Sequence, residues 1–197
     1  DAGLREAMRE MVGDVLSTAG ITTILVTHDQ AEALSFADHL AVLRDGVVVQ
    51  AGPPQDLYLR PRDAQTARFL GDAIILQARL EDGLAHTILG SVPTDTASRR
   101  GNATIMLRPE QLELTSVASG AEISATTSLG RIVGRSFRGS TWRLLIEHLP
   151  ASSAGLRFPS LALETSSMFT LETPSLAPLE VGTTVRIRIG GTAHILS

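Results

Sequence analysis

The chain contains no cysteine, so neither disulfides nor thiolate metal sites can hold it together. It also contains no lysine: all 17 basic residues are arginine. A phosphate-binding loop of the GxxxxGK[ST] type needs a lysine to reach the β- and γ-phosphates, so none lies within these 197 residues. No apolar run approaches the ~18 residues that a membrane helix requires. The formal charge of −4 offers no basic footprint for nucleic acid. What remains is a chain 43% hydrophobic and 19% charged, long enough for one large or two small globular domains.

The most informative stretch is Thr22–Leu34, TTILVTHDQAEAL. Thr22–Thr27 reads as a short apolar strand of the kind buried in parallel sheets. His28 then falls at its C-terminal tip. Asp29 can cap the next helix, with Glu32 three residues on to complete a D-x-x-E capping box. In an α/β protein, the C-terminal tip of a strand is where ligands bind. The surrounding pattern is consistent with that setting. Leu4, Ala7, Met8, Met11, Val12, Val15 and Leu16 recur at helical spacing, predicting an amphipathic helix over Asp1–Ala19 with the Met8/Met11 stripe in the core. Gly20 is placed to end it. Gln30–Ala37 reads as a short helix. Leu40–Leu43 and Val47–Gln50 flank Asp45-Gly46, a strong hairpin signal. Pro54 starts a helix over PQDLYL that Pro61 stops. Asp63 can cap a last helix through Leu70, ended by Gly71.

The composition changes after Gly71. Asp1–Gly71 holds 6 arginines against 10 acidic residues and so carries all the net charge, whereas Asp72–Ser197 holds 11 of each. The second part is rich in Val, Ile, Leu, Thr and Gly, with period-2 runs. Strands are predicted at Ile74–Leu80, Leu84–Leu89, Thr104–Leu107, Leu112–Thr115, Ile123–Thr127, Ile132–Phe137, Trp142–Glu147 and Val185–Ile189. Asp82-Gly83 is a second hairpin signal, and Arg138-Gly139-Ser140 should turn one strand into the next. Many short strands with glycine turns imply a small barrel or sandwich. Pro150–Pro178 is rich in Ser, Pro and Leu; Ser160–Leu171 reads as extra strands or as a loop.

Other constellations point to packing and surface. His39, His86, His148 and His194 are scattered, whereas a zinc site needs three or four convergent ligands, so no metal site is predicted. Ser136 and Ser140 sit in a turn and not in a nucleophile elbow. Trp142 and Phe137 are core candidates. Arg99-Arg100 and Arg135/Arg138 read as solvated surface.

VTHDQAEAL, followed by ADHLAVLRDGVVVQAG and PQDLYLRP, resembles the switch-histidine segment of ABC transporter ATPase subunits, and the likeness runs from Asp1 to about Gly71. MLRPEQLEL and GRIVGRSFRGSTWRLLIEH resemble the C-terminal regulatory domain, of the oligomer-binding-fold (TOBE) type, appended to importer ATPases. The resemblance implies an α/β remnant over residues 1–71, the C-terminal end of a nucleotide-binding domain, followed by an all-β TOBE-like barrel over 72–197. It implies that His28 is the switch histidine that senses the γ-phosphate, and that Asp1 ends the D-loop facing a partner subunit. In the family the phosphate loop, the LSGGQ-type signature and the magnesium-holding acidic strand precede the matched region. The expectation is therefore a C-terminal piece of a longer subunit, not catalytically competent alone, whose parent uses ATP and magnesium. The implied partners are a second copy and membrane-spanning permease subunits, with no nucleic acid. The implied location is cytoplasmic, peripheral on the inner face of the membrane. FLGDAIILQARL is similar to the ferric-iron branch, ahead of the polyamine, sulfate or sugar branches. The rival reading is a non-enzymatic regulatory or dimerisation β-barrel that binds a small ligand or a partner protein.

Overall fold

A computed structural model describes residues 8, 11–16, 18–117, 128–149, 168–174 and 179–196. They fall into two compact units, Asp1–Gly71 and Asp72–Ser197. Each is described by itself.

The first unit opens with helix α1, residues 11–16. It ends at Gly20, whose φ of 65° lets the Ile21 N–H reach back to the Leu16 carbonyl at 3.1 Å, the long bond of a Schellman motif. The predicted strand Thr22–Thr27 is not one: residues 21–27 have no regular secondary structure, with Ile24 and Val26 about nine-tenths exposed (89% and 92%). A strand exists only by pairing, and no ladder reaches this segment among the described residues. For the same reason Met8 and Met11 are exposed and not core: nothing described covers that helix face.

Beyond His28 the pattern holds. Helix α2 is Gln30–Phe36. Strands β1 (Leu40–Arg44) and β2 (Val47–Gly52) form an antiparallel hairpin. Asp45 and Gly46 both have positive φ (53° and 77°), as a type I′ turn demands. Helix α3 (Pro54–Leu59) and helix α4 (Ala64–Phe69) follow. Val42, Leu57 and Leu70 form a small core, with Leu34, Leu40 and Tyr58 against it. Asp63 serves this unit twice. Its carboxylate caps α4 by accepting the Thr66 N–H at 2.7 Å, and it takes a forked pair of bonds from Arg44 at 2.7 and 3.3 Å. The Arg44 guanidinium, followed by that N–H, holds the Asp63 carboxyl well below the usual carboxylate range.

Among the described residues, the second unit shows two five-stranded antiparallel sheets. One has the order β12-β6-β3-β4-β5, from strands β3 (Ile74–Glu81), β4 (Leu84–Thr87), β5 (Gly90–Pro93), β6 (Gly101–Leu107) and β12 (His194–Ile195). The other has the order β10-β9-β8-β11-β7, from β7 (Leu112–Ser116), β8 (Ser128–Phe137), β9 (Thr141–Leu149), β10 (Met168–Pro174) and β11 (Thr184–Ile189). Both sheets feed one core. Leu76, Leu80 and Ile105 come from the first, and Ile132, Leu144, Ile146 and Val185 from the second. Their period-2 spacing places them on the inner faces. An extra residue between Ile132 and Gly134 bulges β8.

Several boundaries differ from expectation. The run predicted as Leu84–Leu89 stops at Thr87, because the Thr87 hydroxyl accepts the Leu89 N–H at 3.0 Å and donates to the Gly90 carbonyl at 2.9 Å. The chain then turns back as β5, which the pattern did not reveal. The strand expected at Ile123–Thr127 lies outside the described residues, as does Ser160–Leu171 up to residue 168, where β10 begins. Phe137 is not core: it is 61% exposed, its ring centroid 5.0 Å from that of Trp142, which does pack on the core.

Candidate functional site

The backbone around His28 is fixed from both sides. Asp29 is the N-cap of α2, and its Oδ1 accepts the Glu32 N–H at 3.0 Å. The Thr27 hydroxyl accepts the Asp29 N–H at 3.0 Å and donates to the Glu32 carboxylate at 2.5 Å. The capping box is thus closed through a hydroxyl that stands between Glu32 and the Asp29 backbone. His28 lies in the bend between these anchors, and its side chain is exposed. An imidazole there can donate or accept at either ring nitrogen, beside a helix end that carries positive partial charge. That combination suits an anionic oxygen. Nearby, Met8, Val12, Leu16, Leu25 and Phe36 line an open apolar groove of about 260 Å³, with Glu32 at its edge. Asp1, the other predicted site residue, lies outside the described residues.

The remaining histidines are tied into the second unit, apart from His39, which is exposed in the first. His86 on β4 shares a 2.8 Å hydrogen bond with Ser91 on β5, and its other nitrogen is 3.9 Å from the Glu81 carboxylate. His194 Nδ1 lies 2.6 Å from Asp95 Oδ2, across 99 positions of sequence. His148 is buried, which pushes its pKa down; a hydrogen bond at the Ile88 backbone opposes that. The β4–β5 register sets His86 against Ser91, and His194 meets Asp95 across a separation that no sequence spacing announces. Arg135 stacks 4.7 Å above the Trp142 ring and pairs with Glu180 at 2.8 Å. Among the described residues, no three or more His, Asp or Glu side chains converge as metal ligands would. No described helix is long and apolar enough to cross a membrane.

No protein-family profile matches the chain. Curated relatives do: the chain is homologous to the ATP-binding subunits of importers. These relatives carry the name Fe(3+) ions import ATP-binding protein FbpC. That of Pseudomonas fluorescens strain Pf0-1 is 49% identical over 168 residues, 85% of this chain and 46% of the relative. That of strain Pf-5 is 63% identical over 112 residues, 57% of this chain and 32% of the relative. That of Mesorhizobium japonicum is 47% identical over 173 residues, 85% and 48%. A match of 168 residues exceeds the length of Asp72–Ser197, so it includes part of both units. The chain spans about half, or less, of the length of these relatives.

Proposed function

We propose that this chain is the C-terminal portion of the ATP-binding subunit of an ABC importer for ferric iron. The observation that carries this is the 49% identity across 85% of the chain to a protein named as an Fe(3+) import ATP-binding protein. In this reading residues 1–71 end the nucleotide-binding domain, and residues 72–197 are a TOBE-type regulatory domain. The two five-stranded sheets around one core are compatible with such a domain.

His28 is the residue that touches nucleotide. Its exposed imidazole hydrogen-bonds the γ-phosphate and orients the attacking water, while Thr27, Asp29 and Glu32 hold the bend that presents it. Hydrolysis needs a positioned nucleophile and neutralised phosphate charge; the second of these calls for a phosphate loop and magnesium, which these 197 residues do not supply. Asp1 belongs to the D-loop and faces the partner subunit. The working state is a homodimer on the cytoplasmic face of the membrane, peripheral to permease subunits.

The test is complementation. Cells lacking their own ferric importer ATPase receive the complete subunit that contains these residues. Uptake of labelled ferric iron should return, and uptake of sulfate, polyamine or sugar should not. Restoration of another cargo would overturn the iron assignment. Steady ATP turnover by the isolated 197-residue chain, abolished by His28→Ala, would overturn the division of labour.

A further inference from the structure

Three hydrogen bonds on either side of His28 form one closed circuit. The Thr27 hydroxyl donates to the Glu32 carboxylate at 2.5 Å, the Glu32 N–H donates to Asp29 Oδ1 at 3.0 Å, and the Asp29 N–H donates to Thr27 Oγ1 at 3.0 Å. Each of these three residues donates once and accepts once within it. None of the three bonds uses an atom of His28, whose side chain is exposed. Asp29 and Glu32 make other contacts as well, whereas both bonds of the Thr27 hydroxyl lie in the circuit.

Chemistry fixes the polarity. An ionised carboxylate only accepts, so the single hydroxyl proton of Thr27 points at Glu32. A lone pair of the same oxygen is thereby left for the Asp29 N–H. A threonine hydroxyl bonded to the backbone two residues on closes a small ring around the residue between, here His28. With that backbone fixed, only the staggered wells of the side chain decide where the imidazole goes. The branched Cβ of Thr27 restricts its own χ1, which keeps the hydroxyl where both partners meet it. The bond to the carboxylate is charge-assisted, and successive bonds in a circuit polarise one another.

We propose, on the reading that His28 touches the γ-phosphate, that Thr27 is its positioning residue: the Thr27 hydroxyl, oriented by Glu32, locks the bend so that the imidazole meets the phosphate at a fixed place. Phosphoryl transfer gains mostly from positioning, and a misplacement of about 1 Å costs ~10²-fold. Thr27 therefore acts on the chemical step and not on ATP affinity, for which the phosphate loop is needed.

The test uses the complete ATP-binding subunit that contains these residues. kcat and the Kd for a non-hydrolysable ATP analogue are measured for the parent, Thr27→Val, Thr27→Ser, His28→Ala and the double variant of Thr27→Val with His28→Ala. Thr27→Val keeps the shape and loses the hydroxyl; kcat should fall roughly 10- to 100-fold, with Kd within a few-fold. Thr27→Ser keeps the hydroxyl and should hold kcat within about three-fold of the parent. In the His28→Ala background Thr27→Val should cost nothing further, because a residue that acts through another loses its effect once that other is gone. Near-normal turnover in Thr27→Val beside a collapse in His28→Ala would overturn the proposal and leave the role of His28 standing. An equal loss on adding Thr27→Val to either background would also overturn it, by placing the effect outside His28. Near-normal turnover in His28→Ala would remove the nucleotide reading itself, and this proposal with it. If Thr27→Val does not bind the analogue, Thr27→Ala is judged by the same outcomes; loss of binding in both would overturn the proposal by showing a merely structural residue.

Discussion

Among the described glycines, Gly130 on β8 leaves the least room for an added Cβ. It pairs with Val185 on β11 and with His148 on β9. A Cβ added there would lie 2.6 Å from Ile146 Cγ2, 3.0 Å from Ile187 Cδ1 and 3.3 Å from the Glu147 carbonyl. Ile187 Cδ1 is the far end of a side chain and can yield. Ile146 Cγ2 sits on a stiff β-branched carbon inside the core, so relief there needs an off-rotamer χ1 or a backbone shift. Overpacking of this kind costs about 1–3 kcal/mol. Replacing glycine in a strand returns about 0.5–1 kcal/mol of chain entropy. Gly130→Ala should therefore lose roughly 0.5–2 kcal/mol. Ile146→Ala alone should cost about 2–5 kcal/mol through the cavity it leaves. In that background the new methyl enters vacated space, so Gly130→Ala should become neutral or stabilising, a coupling of at least about 1 kcal/mol. Urea unfolding followed by the fluorescence of Trp142, the only tryptophan, reads this unit selectively. With a slope of about 1–3 kcal/mol per molar urea, each kcal/mol moves the midpoint by roughly 0.3–1 M. The reasoning fails if Gly130→Ala is as stable as the parent, or if its penalty is the same in both backgrounds.

Three further outcomes are expected. His148 resists protonation in the folded state, so full stability is present above its ordinary pKa of about 6.5 and is lost as pH falls below it. His148→Met should remove that part of the slope in urea midpoints measured from pH 7.5 to 5, and an unchanged slope would count against it. Asp63 is ionised in the folded state below the usual carboxylate range, so its contribution is present above about pH 4 and is lost as pH falls through that range and below. Asp63→Asn should blunt this acid sensitivity of the first unit while keeping the cap, whereas Asp63→Ala should cost about 1 kcal/mol even at neutral pH; equal behaviour of the two would refute the separate roles. Residues 72–197 alone should unfold cooperatively, because both sheets that build their core lie within them, and a gradual loss of the Trp142 signal would contradict that.

What was legible in the sequence divides along a physical line. Local chemistry could be read directly: Asp45-Gly46 and Asp82-Gly83 as left-handed turns, Pro54 at a helix start, Asp63 as a cap. The strands predicted from Ile74, Leu84, Thr104, Leu112, Ile132, Trp142 and Val185 followed from period-2 runs, because one face of each sheet is buried, whereas β5 and β12 did not. Properties that depend on a partner could not be read. Thr22–Thr27 carries a strand's composition, yet composition supplies no neighbour to pair with. Met8, Met11 and Phe137 are apolar at core spacing and exposed. The His194–Asp95 bond joins residues 99 positions apart, and a single chain of letters holds no measure of that. The His28 bend was foreseen as a capping box; the Thr27 hydroxyl that closes it was not.

The central claim rests on His28, and one measurement addresses it most directly. In the complete ATP-binding subunit that contains these residues, steady-state hydrolysis and equilibrium ATP binding are measured for the parent and for His28→Ala. A group that acts on the γ-phosphate in the transition state should, when removed, lower kcat by ~10²-fold or more and leave the Kd for ATP within a few-fold. Near-normal turnover in His28→Ala would show that the histidine only completes the bend before α2.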